Sequence, residues 1–112
     1  MFDEVGEYMN TQRKNALLFR KKLVTVEAFQ MTLGRMQSNL DWPHWLHEAW
    51  NREVGHSGRF FSHDIDGQLI RFMIHTLEGY HVVSIDDWIV KNIAGELYTY
   101  KPEIFEELYE KA

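Results

Sequence analysis

The segment that decides the fold is "RFFSHDIDGQLIRFMIHTLEGYHVVSI", residues 59–85. It holds three runs rich in β-branched and aromatic residues, which are typical of strands. Asp66-Gly67 separates the first two runs and is a strong hairpin signal, because a two-residue turn of this kind requires positive φ. Glu78-Gly79 predicts a second turn before the third run. The segment therefore predicts three consecutive antiparallel strands.

The C-terminal part of the chain predicts another hairpin and a helix. "DWIVKN" and "ELYTY" flank Ala94-Gly95, and "KPEIFEELYEKA" places Pro102 in the first turn of a helix, where its missing N–H costs nothing. Helical spacing divides the residues of this helix into two faces. The predicted buried face is Ile104, Phe105, Leu108 and Tyr109, and the predicted solvent face is Glu103, Glu106, Glu107 and Glu110.

The N-terminal half predicts one strand and one helix. "LVTVEAFQM" (residues 23–31) alternates like a strand, and "LDWPHWLHEAWNREV" predicts a helix that starts near Asp41. Residues 32–40 are predicted to be a linker or a short helical turn. We expect an N-terminal arm or short helix over residues 1–18 and a single domain over residues 19–112. The fold class is α+β: a curved antiparallel sheet or small partly closed β-barrel covered by one or two helices.

Composition and charge limit the function classes. The chain has 112 residues, no cysteine and a net charge of −5, and its acidic start, "MFDEVGEYMN", is unlike a signal peptide. No apolar run is long enough for a membrane span, so no membrane association is expected. Residues 41–112 hold thirteen acidic against six basic residues, which disfavours direct nucleic-acid binding. Arg20, Lys21 and Lys22 are candidate anion-binding residues, with a solvated basic strip as the alternative.

Catalytic and metal-binding patterns are weak in this sequence. His44 and His47 share a predicted helix face, but their spacing is not H-E-x-x-H and further ligands are not obvious. No nucleophile elbow and no glycine-rich phosphate loop occurs. We therefore expect a protein that is not an enzyme and that has no metal site and no cofactor.

Aromatic residues supply the candidate binding surface. Trp42, Trp50 and Trp88 are in phase with apolar neighbours and are predicted to pack in the core. Other aromatic side chains fall out of phase, and exposed Trp and Tyr are favoured at protein interfaces. The predicted partner-binding residues are Trp45, Tyr98, Tyr100, Glu103, Glu106, Glu107 and Glu110.

Four segments of the chain resemble small proteins of tailed bacteriophages and prophages, loosely the PGDYG-motif family. These segments are "FRKKLVTVEAFQ", "DWPHWLHEAW", "IHTLEGYHVVSIDDWIV" and "GELYTYKPEIFEELYE", and together they cover roughly residues 19–110. Ile85-Asp86 stands where the family usually has Pro-Gly, and Thr99-Tyr100 stands where Pro-Cys is common. The resemblance implies a phage origin and the host cytoplasm.

These observations predict a phage-encoded counter-defence or host-takeover protein that binds and blocks a bacterial protein, as an anti-CRISPR inhibitor does, through an acidic and aromatic surface. Two alternatives stay open. One is a small-ligand binder that sequesters a nucleotide immune signal by Trp or Tyr stacking and the basic run Arg20–Lys22. The other is a self-assembling structural or regulatory phage component, which would be a homo-oligomer.

Overall fold

The computed structural model describes residues 16–20 and 22–112, and these form six strands and three short helices. The α+β class is therefore confirmed. Most of the predicted N-terminal arm, residues 1–18, lies outside the described residues. In chain order the elements are β1 (Glu27–Gln30), α1 (Leu33–Gln37), α2 (His44–Trp50), β2 (Phe60–Ile65), β3 (Gln68–Thr76), β4 (Gly79–Val83), β5 (Trp88–Lys91), β6 (Leu97–Tyr100) and α3 (Pro102–Leu108).

The strands form two separate antiparallel sheets. Sheet A has the order β1-β5-β6 and sheet B the order β2-β3-β4. The predicted barrel is wrong, since the described residues contain no closed barrel and neither sheet is strongly curled. The physical reason is the turn between β4 and β5, which ends one sheet and starts the other. In addition, β1 comes from far along the chain to pair with β5, so that it extends sheet A.

All three predicted hairpins are present. In the first, Ile65 pairs with Gln68 around Asp66 and Gly67, whose φ angles of 52° and 77° fit a tight two-residue turn. β3 and β4 join at Thr76 and Gly79. A longer loop connects β5 to β6. The turn residues in the sequence thus predicted these three connections correctly.

The boundaries of three N-terminal elements differ from the prediction. Regular pairing of β1 begins at Glu27, opposite Lys91, because β5 offers only four partner positions; residues 23–26 precede the strand. Helix α2 begins at His44, since Pro43 adopts an extended conformation (ψ 156°) and itself takes the N-cap position expected for Asp41. The predicted linker at residues 32–40 contains α1, which Thr32 caps.

The core lies between the two sheets and α2. Trp42 is its aromatic centre: its ring packs edge-on against Phe60 at 5.3 Å and Phe72 at 5.7 Å, and its Nε1–H donates to the Arg35 carbonyl at 2.8 Å. Trp50, predicted to be buried, is 39% exposed although it also contacts both phenylalanines. The buried core residues are Phe29, Met31, Leu46, Ala49, Phe60, Phe72, Ile74, Val83, Ile89 and Leu97.

Asp87 is a buried charged residue that ties the two sheets and α3 together. Its carboxylate accepts the Ser84 N–H at 2.9 Å and the Lys101 Nζ at 3.1 Å, and Lys101 directly precedes α3. The backbone carbonyl of Asp87 accepts the Met31 N–H at 2.8 Å, next to β1. One residue therefore fixes the turn after β4, the end of β1 and the start of α3.

We expect Asp87→Ala to lower the free energy of unfolding by about 3 kcal/mol, because a buried N–H and a cation both lose their acceptor. Lys101→Met should cost about 2 kcal/mol or more, since it leaves a buried carboxylate without its cation. Urea denaturation measures both. Asp64→Ala, at an exposed strand position, is the control and should change stability by less than about 0.5 kcal/mol. Equal losses at Asp64 and Asp87 would contradict this role.

Asp86 has a φ of 70°, a conformation that glycine adopts without strain. We expect Asp86→Gly to raise the free energy of unfolding by about 0.5 kcal/mol, and Asp86→Val to lower it by about 1–2 kcal/mol. Thermal melts compare these with Asp64→Gly, where glycine in a strand should destabilise. A loss at Asp86→Gly as large as at Asp64→Gly would refute the strain.

Candidate functional site

The candidate site lies on the outer face of sheet A. Ile89 and Leu97 point into the core, so alternation along β5 and β6 places Trp88, Val90 and Tyr100 on the opposite face. Trp88 and Tyr100 are directly paired across the two strands. The register therefore puts large aromatic side chains on the side of sheet A that faces away from α2.

Helix α3 adds its own aromatic residues to this face. Phe105 stacks on Trp88 with ring centroids 4.2 Å apart and planes within 8° of parallel. Tyr109 stacks in turn on Phe105 at 5.1 Å and meets Tyr100 edge-on at 5.9 Å. Residues 105 and 109 are four apart, so helical geometry places both rings on one side of α3. The four rings form a continuous aromatic surface.

The remaining apolar residues of α3 are less buried than predicted. Ile104 is 47% and Leu108 is 45% exposed, and no residue of this helix is fully buried. The reason is the short length of α3, which contacts sheet A mainly through Phe105 and, just beyond its last turn, Tyr109. The predicted four-residue buried face is thus wrong for Ile104 and Leu108, which leaves apolar side chains accessible.

An apolar groove of about 710 Å³ opens beside this aromatic surface. One side is the segment Leu23–Val26, the base includes Ala28 and Trp88, and the other side is Phe105 and Tyr109 with the C-terminal residues. Within the described residues β1 pairs only with β5, so its other edge presents unpaired backbone groups next to the groove. The groove therefore combines apolar surface with an open strand edge.

Acidic residues border the groove. Glu106 and Glu110 line it, whereas Glu103 and Glu107 also lie exposed on α3 but do not. Lys111 is the basic residue at this border. The four glutamates that the sequence grouped together are thus separated by the structure into a groove pair and an outer pair.

The two predicted tyrosines are on the same face of β6. The Tyr98 hydroxyl donates to Glu96 Oε2 at 2.6 Å, and this hydrogen bond to a carboxylate raises the pKa of Tyr98. Partial burial raises the pKa of Tyr100, with the neighbouring Tyr109 as the second cause. Both phenols consequently remain protonated at neutral pH and can donate hydrogen bonds.

Trp45 lies away from the other predicted partner-binding residues. It is half-buried, packs against the core from α2, and lines a separate cleft with His44, Glu48 and Lys91. Sheet A stands between this cleft and the aromatic groove. The structure therefore does not join Trp45 to Tyr98, Tyr100 and the glutamates in one surface.

Sequence patterns missed three contributors to the groove. Trp88, Phe105 and Tyr109 have apolar spacing, and each was predicted to be core because the pattern cannot show whether a second layer covers it. The four-residue spacing of Phe105 and Tyr109 was the available signal for a shared surface.

The predicted anion-binding run is only partly described. Arg20 and Lys22 are exposed just before Leu23, and Lys21 lies outside the described residues.

In the described part of the chain no three His, Asp or Glu side chains come close enough together to hold a metal ion. His44 Nε2 instead lies 2.7 Å from Glu48 Oε1. Among the described residues, no helix has the length and apolar character needed to cross a membrane.

No protein-family model, no curated protein and no solved structure matches the chain.

Proposed function

We propose that this chain is a phage-encoded, non-enzymatic protein that acts in the host cytoplasm by binding and blocking a bacterial protein, in counter-defence or host takeover. The observation that carries the binding part is the acid-bordered aromatic groove next to the open edge of β1. The phage origin rests on the four resembling sequence segments. The target is a host protein because a phage protein of this kind acts inside the infected cell.

The groove favours a particular kind of partner segment. Trp88, Phe105 and Tyr109 present flat apolar surface, which suits aliphatic or aromatic anchor residues. Glu106 and Glu110 at the border suit Lys or Arg side chains. The open edge of β1 can accept an extended peptide as an added strand. An extended segment that combines apolar anchors with basic residues therefore fits all three features.

The aromatic residues should supply most of the affinity and the acidic residues most of the association rate. Interface energy concentrates in a few well-packed aromatic positions, where truncation typically costs 2 kcal/mol or more. Charges at a solvated border mainly steer the encounter and are screened by salt. Tyr109 lines the groove and contacts both Phe105 and Tyr100, so it joins the aromatic rings of this surface.

We expect the double variant Glu106→Lys/Glu110→Lys to weaken partner binding at least tenfold, since it replaces attraction at the groove with repulsion. The double variant Glu103→Lys/Glu107→Lys changes the net charge equally on the outer side of α3 and is the matched control. A partner captured from bacterial extract with the wild-type chain is purified, and its affinity for each variant is measured by calorimetry. Equal losses in both double variants would contradict a role for the groove.

The counter-defence role needs a separate measurement. Plating efficiency of a defence-sensitive phage on cells that express each variant should fall for the groove variant and stay high for the matched control. A groove variant that loses partner binding while phage growth is unchanged would contradict counter-defence but leave the binding function standing.

Self-assembly is the second candidate function, and one observation favours it. Leu17, Leu18 and Phe19 are 75–89% exposed in the segment that leads to the groove, and apolar side chains this exposed often mark interfaces. We expect light scattering to give twice the 13.4 kDa of one chain, and Leu17→Asp/Phe19→Asp to restore the single-chain mass. Leu77→Asp, at an equally exposed turn, is the control. A wild-type mass of one chain at micromolar concentration would exclude this candidate.

A further inference from the structure

The outer face of sheet B carries a second ordered set of side chains. Phe60, Phe72, Ile74 and Val83 point into the core, so alternation places their neighbours on the opposite side. The register arranges these neighbours in rows across the strands. The rows are Phe61–Met73–Val82, His75–Tyr80 and His63–Arg71.

Aromatic rings meet on this face. Tyr80 lies 5.7 Å from Phe61 and 4.7 Å from His75, measured between ring centroids, and Tyr80 is 59% exposed. The Nδ1 atom of His75 is buried and has no hydrogen-bond partner among the described residues, which costs stability. A cluster that leaves a polar atom unpaired and a large ring exposed is not arranged for stability alone.

The charge of this face is opposite to that of the protein as a whole. The guanidinium of Arg59 lies 4.6 Å above the Phe61 ring, and Arg71 is exposed in the next row along β3. The three rows contain no acidic residue, and the next row of this face, Asp64–Leu69, adds one carboxylate against the two arginines. The net charge of −5 disfavoured nucleic acid when averaged over the chain, but two of the four C-terminal glutamates line the groove on sheet A, and on the outer face of sheet B two arginines outnumber the one carboxylate.

We propose that the outer face of sheet B binds single-stranded nucleic acid, with bases stacking on Tyr80 and Phe61 and phosphates contacting Arg59 and Arg71. Aromatic side chains flanked by cations on an open sheet are the arrangement that sequence-tolerant single-strand binding requires. This surface is distinct from the groove on sheet A and does not depend on the function proposed for that groove.

A strand of several nucleotides fits this face better than a free nucleotide does. Small ligands are held in concave pockets that enclose most of their surface, whereas these side chains spread across three open rows. Rows separated by two residues lie about 7 Å apart along a strand, so successive rows can contact successive parts of one extended strand. Duplex DNA keeps its bases stacked inside and cannot use Tyr80 and Phe61 in this way.

The test is fluorescence anisotropy with labelled oligo-dT and oligo-U of about 15 nucleotides, titrated with the full-length chain. We expect a dissociation constant between about 10⁻⁶ and 10⁻⁴ M at about 50 mM salt, and weaker binding at about 200 mM. A duplex of equal length and uridine monophosphate as competitor are the two probe controls. Both should bind at least tenfold more weakly than the single strand.

Matched variants assign the binding to this face. Arg71→Ala should weaken binding and make the slope of log affinity against log salt shallower by about 0.7, the value for one phosphate contact on a single strand. Lys91→Ala removes a cation from sheet A and should leave both unchanged. Tyr80→Ala should weaken binding about tenfold, while Tyr80→Phe keeps the stacking ring and should stay within twofold of wild type. Circular dichroism verifies that each variant is folded.

Four outcomes overturn the proposal. No anisotropy change up to about 100 μM chain would exclude binding in the expected range. Equal affinity for the duplex would reveal general charge attraction, and effective competition by the mononucleotide would reveal a small-ligand site. Equal effects of Lys91→Ala and Arg71→Ala would place the binding away from sheet B.

Discussion

The structure depends on the buried carboxylate of Asp87. It holds the turn between β4 and β5 through the Ser84 N–H, and it holds the start of α3 through Lys101. A charge this buried is tolerated only when it is paired and hydrogen-bonded, so the turn and the start of α3 must take their places together. The same turn ends sheet B and begins sheet A, which is why the six strands do not join into one sheet.

Separate sheets give the protein two outer faces of different character. The face of sheet A carries α3, a stacked series of aromatic rings and the groove glutamates. The face of sheet B carries Tyr80 and Phe61 with two arginines. The two proposals assign these faces different partners, a basic protein segment to the groove and a nucleic-acid strand to sheet B. Both proposals use chemistry that total composition hides, since the net charge sums over the groove of sheet A and the outer face of sheet B.

The candidate site was partly predictable because some of its signals are local. Glu106, Glu110 and Tyr100 were selected from the sequence, and the structure places them at or beside the groove. Trp45 was selected by the same reasoning but packs against the core. Its position outside the apolar stripe of α2 does not determine which other residues cover its side chain. Trp88 and Phe105 were predicted to be core but line the groove. Apolar spacing indicates a buried face, but it does not reveal how much of that face a short helix can cover.

The sequence by itself determined the α+β class and the three hairpins, together with the helical C-terminal segment that became α3. These follow from contacts between neighbouring residues: positive φ at Asp66-Gly67, alternation within each strand, and Pro102 at a helix start. Only the tertiary structure decided that β1 pairs with β5, that two sheets form in place of a barrel, and that Glu106 and Glu110 border a groove. Those features require residues distant in the chain to meet. The ion pair between the buried carboxylate of Asp87 and the half-exposed Lys101 depends on three-dimensional geometry that local patterns do not contain.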